Sequence, residues 1–262
     1  VNSYADSAKQ TEVIWGYTGD KGPHAWGTLD PAFKACAVGK QQSPININTQ
    51  EVIPTKNEDL DIDYRAAVPL NIVSDGITEL NIGGHREIIN DGHTLQVNFP
   101  QTGKLEFIEV KEKHFRLVQF HIHTPSETHL DGKSYPLEIH FVNQGNNGKV
   151  AVIGVFVQSG KFNPAIETLL RHLPPTQGQI HPVPGVKLNL LALLPKNESH
   201  YSFPGSLTTP PCTEGLQWFV MANPIEASEK QITELKKALP LSHNARPIQP
   251  LHGRKVLFFS EK

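Results

Sequence analysis

Cysteine is scarce in this chain. Its 262 residues hold only Cys36 and Cys212, with no C-x-x-C pair. Spacing alone leaves two readings open, a pair of free thiols or one disulfide. A basic excess is also missing, with 24 Lys and Arg against 26 Asp and Glu. That excludes a nucleic-acid binder built on phosphate neutralisation. No apolar run approaches the roughly 18 residues that a membrane-spanning helix needs. No sequence period of fixed length recurs, so a repeat array is excluded. Gly and Pro are plentiful instead, with 20 and 21 residues, which suits many short strands joined by turns. At this length one large domain is expected. Residues 1–12 read as a flexible lead-in and 13–262 as that domain.

From Leu60 to Val110 strand signals recur between turn residues: LDIDY, LNIVSDG, ELNIGG, LQVNF and LEFIEV. Val150–Val157 is a continuous apolar run, which predicts a strand buried on both faces. Leu216–Met221 and Lys255–Phe259 read as further strands, and one starts near Ile45. The stretch from Trp15 to Pro31 reads as loop. Two helices are predicted. Asn163-Pro164 opens NPAIETLLRHL with Pro in the first turn, and Ser228 to Gln231 is a capping box opening SEKQITELKKAL. Both read as amphipathic helices packed on a sheet.

The densest chemistry lies between Gln119 and Val142, QFHIHTPSETHLDGKSYPLEIHFV. His121 and His123 are two apart on an alternating run, so a strand points both to one face. His140 sits on a second strand-like run, Leu137–Val142. Turn residues lie between, Pro125, Asp131, Gly132 and Pro136 among them. Antiparallel pairing of the two runs brings three imidazoles to one point. Three neutral histidines suit Zn2+ and leave a fourth position for water, the pattern of a catalytic site. With 13 histidines in the chain, roughly 0.6 H-x-H pairs arise at random, so the pair alone is weak evidence. The third histidine and its polar neighbours carry the reading.

Eight motifs in order extend it: WGY at 15–17, QSPININ at 42–48, NDGH at 90–93, QFHIH at 119–123, SETH at 126–129, LEIH at 137–140, FPGSLTTPPC at 203–212 and NARPIQP at 244–250. Over nearly its whole length the chain resembles an α-class carbonic anhydrase. The resemblance implies a mainly β (α+β) domain around a large twisted, mostly antiparallel sheet with short peripheral helices. It implies reversible hydration of CO2 to bicarbonate and a proton by zinc-hydroxide attack, with one Zn2+ on His121, His123 and His140. Gln119 is expected to support His121, Glu138 to support His140, and the Asn244 carbonyl to support His123. Thr208, committed to Glu127, is expected to orient the nucleophile. Val142, Val152, Leu207, Thr209, Leu216 and Trp218 are the expected substrate pocket. His93 is the expected proton shuttle, beside a water-ordering wall of Tyr17, Asp91 and Gln96.

Two residues depart from many relatives, Asp91 in place of Asn and Phe203 in place of Tyr. Secreted bacterial members carry a cysteine pair after FKA and after TTPP, which implies a Cys36–Cys212 disulfide. A periplasmic or extracellular location follows, with a leader peptide already removed. Weak esterase activity, inhibition by sulfonamides or anions, and a homodimer are further expectations by analogy. Two rival readings are a zinc esterase and a non-catalytic binding module. A small apolar pocket argues against the first, and the intact ligands with Thr208 and Glu127 against the second.

Overall fold

The computed structural model describes residues 13–57, 60–90 and 93–262. The expected lead-in at 1–12, together with Asp91 and its neighbour Gly92, lies outside the described residues. A 13-stranded, mostly antiparallel sheet forms the body of the chain. Parallel pairs occur where Val150–Ser159 meets Glu214–Met221 and Ile225–Ala227, and where Leu257–Phe259 meets Ile53–Thr55.

At the centre of the sheet lie Lys113–His123, Leu137–Gly145 and Val150–Ser159. Their sequences explain the position. Leu137–Gly145 is buried at all nine positions and Val150–Val157 at all eight, as strands covered on both faces require. Phe120, Ile122, Ile139, Phe141, Ile153 and Phe219 face the larger core. The two long helices, Pro164–Arg171 and Glu229–Ala238, cover that face through Ile166, Leu169, Ile232 and Leu235. The opposite face carries a second apolar cluster, including Val142, Val152, Leu207 and Trp218.

Both helix starts form as read. Asn163 caps Ala165 and Ile166, and the Ser228–Gln231 capping box closes in both directions. The first helix stops at Arg171, short of Pro174, because His172 already leaves the helical region. Trp15–Pro31 is less irregular than its composition suggests. Trp26 is fully buried and starts a short helix to Leu29, its Nε1 donating to the Gly16 carbonyl at 2.8 Å. His85–Asn90, His181–Leu188 and His200–Ser206 are strands with no clear alternation in sequence. His181–Leu188 carries two prolines and is tolerated because it lies at the sheet edge.

Cys36 and Cys212 form the disulfide, with Cα atoms 5.1 Å apart and a sequence separation of 176. The bond ties the short helix Ala35–Val38 to the end of the Leu207–Pro211 segment. Chain entropy sets a ceiling of about 5 kcal/mol for a loop of this length. Reduction is expected to lower the melting temperature and the activity together. Thermal melts with and without dithiothreitol check this, and identical curves contradict it.

Candidate metal centre

The register of the two ligand strands sets the geometry. His140 lies directly opposite His121, and Glu138 opposite His123. Directly opposed residues share a face, so Gln119, His121, His123, Glu138, His140 and Val142 all point away from the larger core. A register slip between Val142 and Asn143 skips Val118, a bulge after which the pairing resumes at Leu117. The imidazole centroids lie 4.6 to 5.3 Å apart. One nitrogen from each ring lies within 4.8 Å of the other two.

Each ring is held from behind. His121 Nδ1 is 2.8 Å from Gln119 Oε1, whose amide Nε2 in turn donates to Thr78 Oγ1 at 3.1 Å. His123 Nδ1 is 2.7 Å from the Asn244 carbonyl oxygen. A carbonyl only accepts, so in both rings Nδ1 carries the hydrogen and Nε2 is left as a lone-pair donor. His140 Nε2 lies 3.1 Å from Glu138 Oε1, close but out of line for a full hydrogen bond, which leaves Nδ1 to face the cluster. Glu138 Oε2 accepts from the Thr128 amide at 2.8 Å.

Burial keeps all three imidazoles neutral. It pushes His121 and His140 well below the usual histidine range and His123 down to about 4. Neutral imidazole is the form that ligates metal. The unfolded chain takes up these protons near pH 6.5, whereas folded His123 resists until about pH 4. The His123 contribution is fully present above pH 6.5 and is lost as pH falls towards 4, by about 3 kcal/mol, opposed by the buried carboxyls of Glu127 and Glu138, whose raised pKa values favour the folded state as they protonate. Melting of the stripped wild type beside stripped His123→Gln across that range checks the His123 contribution, and identical pH slopes contradict it.

The residues fit a metal ion. His123 Nε2 is buried without a hydrogen-bond partner, which is costly unless something binds there. Three neutral nitrogen donors, two of them oriented by an acceptor bonded behind the ring and the third approached by Glu138, are a donor set suited to Zn2+. Glu127 is also fully buried. Burial drives its carboxyl well above the usual range, opposed by the Arg246 amide, which donates to Oε1 at 2.9 Å, and by Thr208. Thr208 approaches the carboxylate, yet Glu127 Oε2 lacks a fully formed hydrogen bond. A dication among the histidines would draw that carboxyl back towards its charged form.

Beside the ligands lies a small cavity, about 20 Å³ open to the centre of a water-sized molecule. His121, His140, Val142, Val152, Leu207, Thr208, Thr209 and Trp218 line it. Trp218 stands edge-on to His140, with ring centroids 4.9 Å apart. Leu216 does not line it. Leu216 is buried two register pairs from Trp218, opposite Gly205, and borders a separate cavity with Phe203. Phe203 is buried and stacks parallel to Trp218.

His93, Tyr17 and Gln96 do not line the small cavity. His93 is half-buried in a left-handed backbone conformation (φ 67°), its ring edge-on to Trp15 and Tyr17. Its carbonyl accepts from Asn244 Nδ2 at 3.0 Å, so the residue that holds His123 also holds the His93 loop. Gln96 is buried opposite His121, with Oε1 lacking a partner.

Several contributors escaped the sequence reading. Arg246 is largely buried. It donates to the carbonyls of Ser43 and Cys36 and lies over the Trp26 ring. It thereby links the N-terminal segment and the disulfide to Glu127. The NARPIQP motif contained Arg246 without revealing its reach. Thr78 had no signal, and Thr128 sat in SETH without a stated role. Leu80 and Ile89 also line the cavity, and their hairpin carries no motif.

The chain is similar to known proteins over nearly its whole length. The sequence profile of the eukaryotic-type carbonic anhydrase family matches residues 21–260. A carbonic anhydrase of Nostoc sp. is 36% identical over 252 residues, covering 95% of this chain and 88% of its own. One from Pectobacterium carotovorum is 38% identical over 252 residues, covering 96% and 93%. The structure of the α-carbonic anhydrase from Thermovibrio ammonificans with the inhibitor sulfanilamide superposes with a TM-score of 0.79. It is 37% identical and covers 94% of this chain and 99% of its own. With a three-histidine cluster on a shared fold and near full-length similarity, the chain belongs to the eukaryotic-type, or α, carbonic anhydrase family.

Proposed function

We propose that this enzyme hydrates CO2 reversibly to bicarbonate and a proton, using one Zn2+ held by His121, His123 and His140. The observation that carries the reading is the convergence of three buried, neutral imidazoles, each with its remote nitrogen engaged or approached by an acceptor. Zinc in such a site supplies a nucleophile at neutral pH by acidifying water.

The chain's own residues do the rest. CO2 is uncharged and weakly polar, so Val142, Val152, Leu207 and Trp218 give it an apolar wall without competing hydrogen bonds. The Thr208 hydroxyl directs its hydrogen to Glu127 and can then only accept from the attacking oxygen, which fixes the direction of attack. Thr209 shares that wall of the cavity. Gln119, Glu138 and the Asn244 carbonyl hold the imidazoles in the tautomers that ligation needs. The disulfide supports an oxidising compartment, the periplasm or the exterior. No described helix is long and apolar enough to cross a membrane. Sulfonamides and small anions are the expected inhibitors, as the sulfanilamide complex of the Thermovibrio enzyme suggests.

His93 is proposed to pass the released proton to buffer. Supporting this, its loop is fastened to Asn244, whose carbonyl also meets His123, and its ring lies edge-on to Trp15 and Tyr17. His93→Ala is expected to slow steady-state turnover in weak buffer, and added imidazole is expected to restore it. An unchanged buffer dependence shows that protons leave by another path. Stopped-flow CO2 hydration beside p-nitrophenyl acetate hydrolysis tests the reaction itself. Ester turnover with CO2 hydration left at the uncatalysed rate would favour the esterase reading and overturn this one.

A further inference from the structure

A groove lies apart from the metal centre and shares no lining residue with the small cavity there. Its volume of about 560 Å³ falls in the range of sites that hold small organic ligands. The floor is apolar, built from Val110, Phe115, Leu216, Phe219 and Leu257. Three lysines from separate parts of the chain line it as well. Lys113 opens the strand Lys113–His123, Lys149 precedes Val150–Ser159, and Lys255 precedes Leu257–Phe259. All three are exposed. No Asp or Glu among the described residues lines the groove. Glu109, next to Val110, reaches His114 Nε2 at 3.0 Å instead. The rim also holds an unusual turn. Val110 pairs with Lys113 across Lys111-Glu112, whose φ angles are 49° and 62°. Asn and Gly normally fill such a left-handed turn. Strain of this kind concentrates where a segment is held in place for binding.

We infer that this groove binds an amphipathic organic acid, a flat hydrocarbon body with one anionic end. The apolar floor takes the body out of water, and the rings of Phe115 and Phe219 suit an aryl group. The lysines supply the charge that the anionic end needs. Lysine is a point charge without a fixed fork, so the three attract an anion without dictating its shape. Neither half suffices alone. An inorganic anion meets only exposed ammonium groups, whose pairing is weak. An uncharged hydrocarbon loses the attraction of all three. The apolar surface is a recess whose floor residues Phe115, Leu216 and Phe219 are buried at 5%, 1% and 1% exposure. A recess of that kind suits a free acid that enters it rather than a flat membrane surface. The site is independent of the CO2 reading, since none of its residues touches the metal ligands' cavity.

The test titrates 2-naphthoate into the zinc-loaded protein by calorimetry, with sulfanilamide present to saturation so that the metal is closed to the carboxylate. One molecule per chain is expected to bind. The uncharged 2-naphthylmethanol is expected to bind about tenfold more weakly, the scale of three modest exposed charge contacts together. The triple variant Lys113→Gln, Lys149→Gln, Lys255→Gln is expected to weaken naphthoate by the same factor. It should leave naphthylmethanol binding, the melting temperature and CO2 hydration unchanged. Leu257→Ala thins the floor and is expected to weaken both probes. Absence of naphthoate binding in the sulfanilamide-saturated protein overturns the inference, because any carboxylate affinity then belongs to the metal. Equal naphthoate affinity in the triple variant, or equal affinity for the charged and uncharged probes, overturns it too. So does binding to phosphatidylglycerol vesicles that the triple variant loses while naphthoate fails to bind, since the lysines then serve a membrane surface.

Discussion

His121→Ala is expected to remove the metal and the activity together. The imidazole is one of three converging donors, and two histidines cannot hold zinc in a competent geometry. The loss should exceed that from disturbing a supporting group. Gln119→Leu, which removes the acceptor 2.8 Å from His121 Nδ1, is expected to cost about 10- to 100-fold in metal affinity. Metal analysis after dialysis, beside stopped-flow CO2 hydration, reads both effects. Stoichiometric zinc with full activity in His121→Ala contradicts the ligand assignment.

Thr208→Val is expected to lower kcat/KM for CO2 by about 10²-fold, the scale of losing one oriented polar group at a reacting oxygen. Valine keeps the shape of this buried position and removes only the hydroxyl. Zinc content should therefore be unchanged. Glu127→Gln is expected to act through the same contact. Its amide can still accept from the Arg246 amide, which now donates to Glu127 Oε1. Towards Thr208, however, the amide donates where the carboxylate accepted, so the threonine hydroxyl loses its fixed direction. Groups that act as a unit are not additive. The double variant should thus be little worse than either single one. Multiplying losses would show that the two residues serve separate purposes.

Much of the metal centre was legible because strand parity is a local property. H-x-H on an alternating run places two imidazoles on one face, and a second strand opening with LEIH supplies the third. The structure realises this through the His140–His121 register. Capping chemistry located both long helices for the same reason, since Asn163 and Ser228 act within a few residues. The cysteine pairing needed the family resemblance, because spacing left it open. Contacts that join distant segments through side chains of no special chemistry were hidden. Leu80 and Ile89 reach the cavity only because a hairpin folds over it, and nothing in ITEL or REII announces that. Arg246 links Cys36, Ser43 and Glu127 across more than a hundred residues. Leu216 shows the converse limit. It shares a strand face and an apolar cluster with Trp218, yet it sits two register pairs away and does not line the small cavity. Parity gives the face of a strand and not the depth at which a cavity ends.

The central claim is that one zinc ion on His121, His123 and His140 makes this chain a CO2 hydratase. Its most direct test is CO2 hydration measured by stopped flow as zinc is returned to chelator-stripped protein. The account predicts the uncatalysed rate in the stripped protein and a linear rise that saturates at one zinc per chain. Full activity in the stripped protein, or a rate indifferent to added zinc, would contradict it.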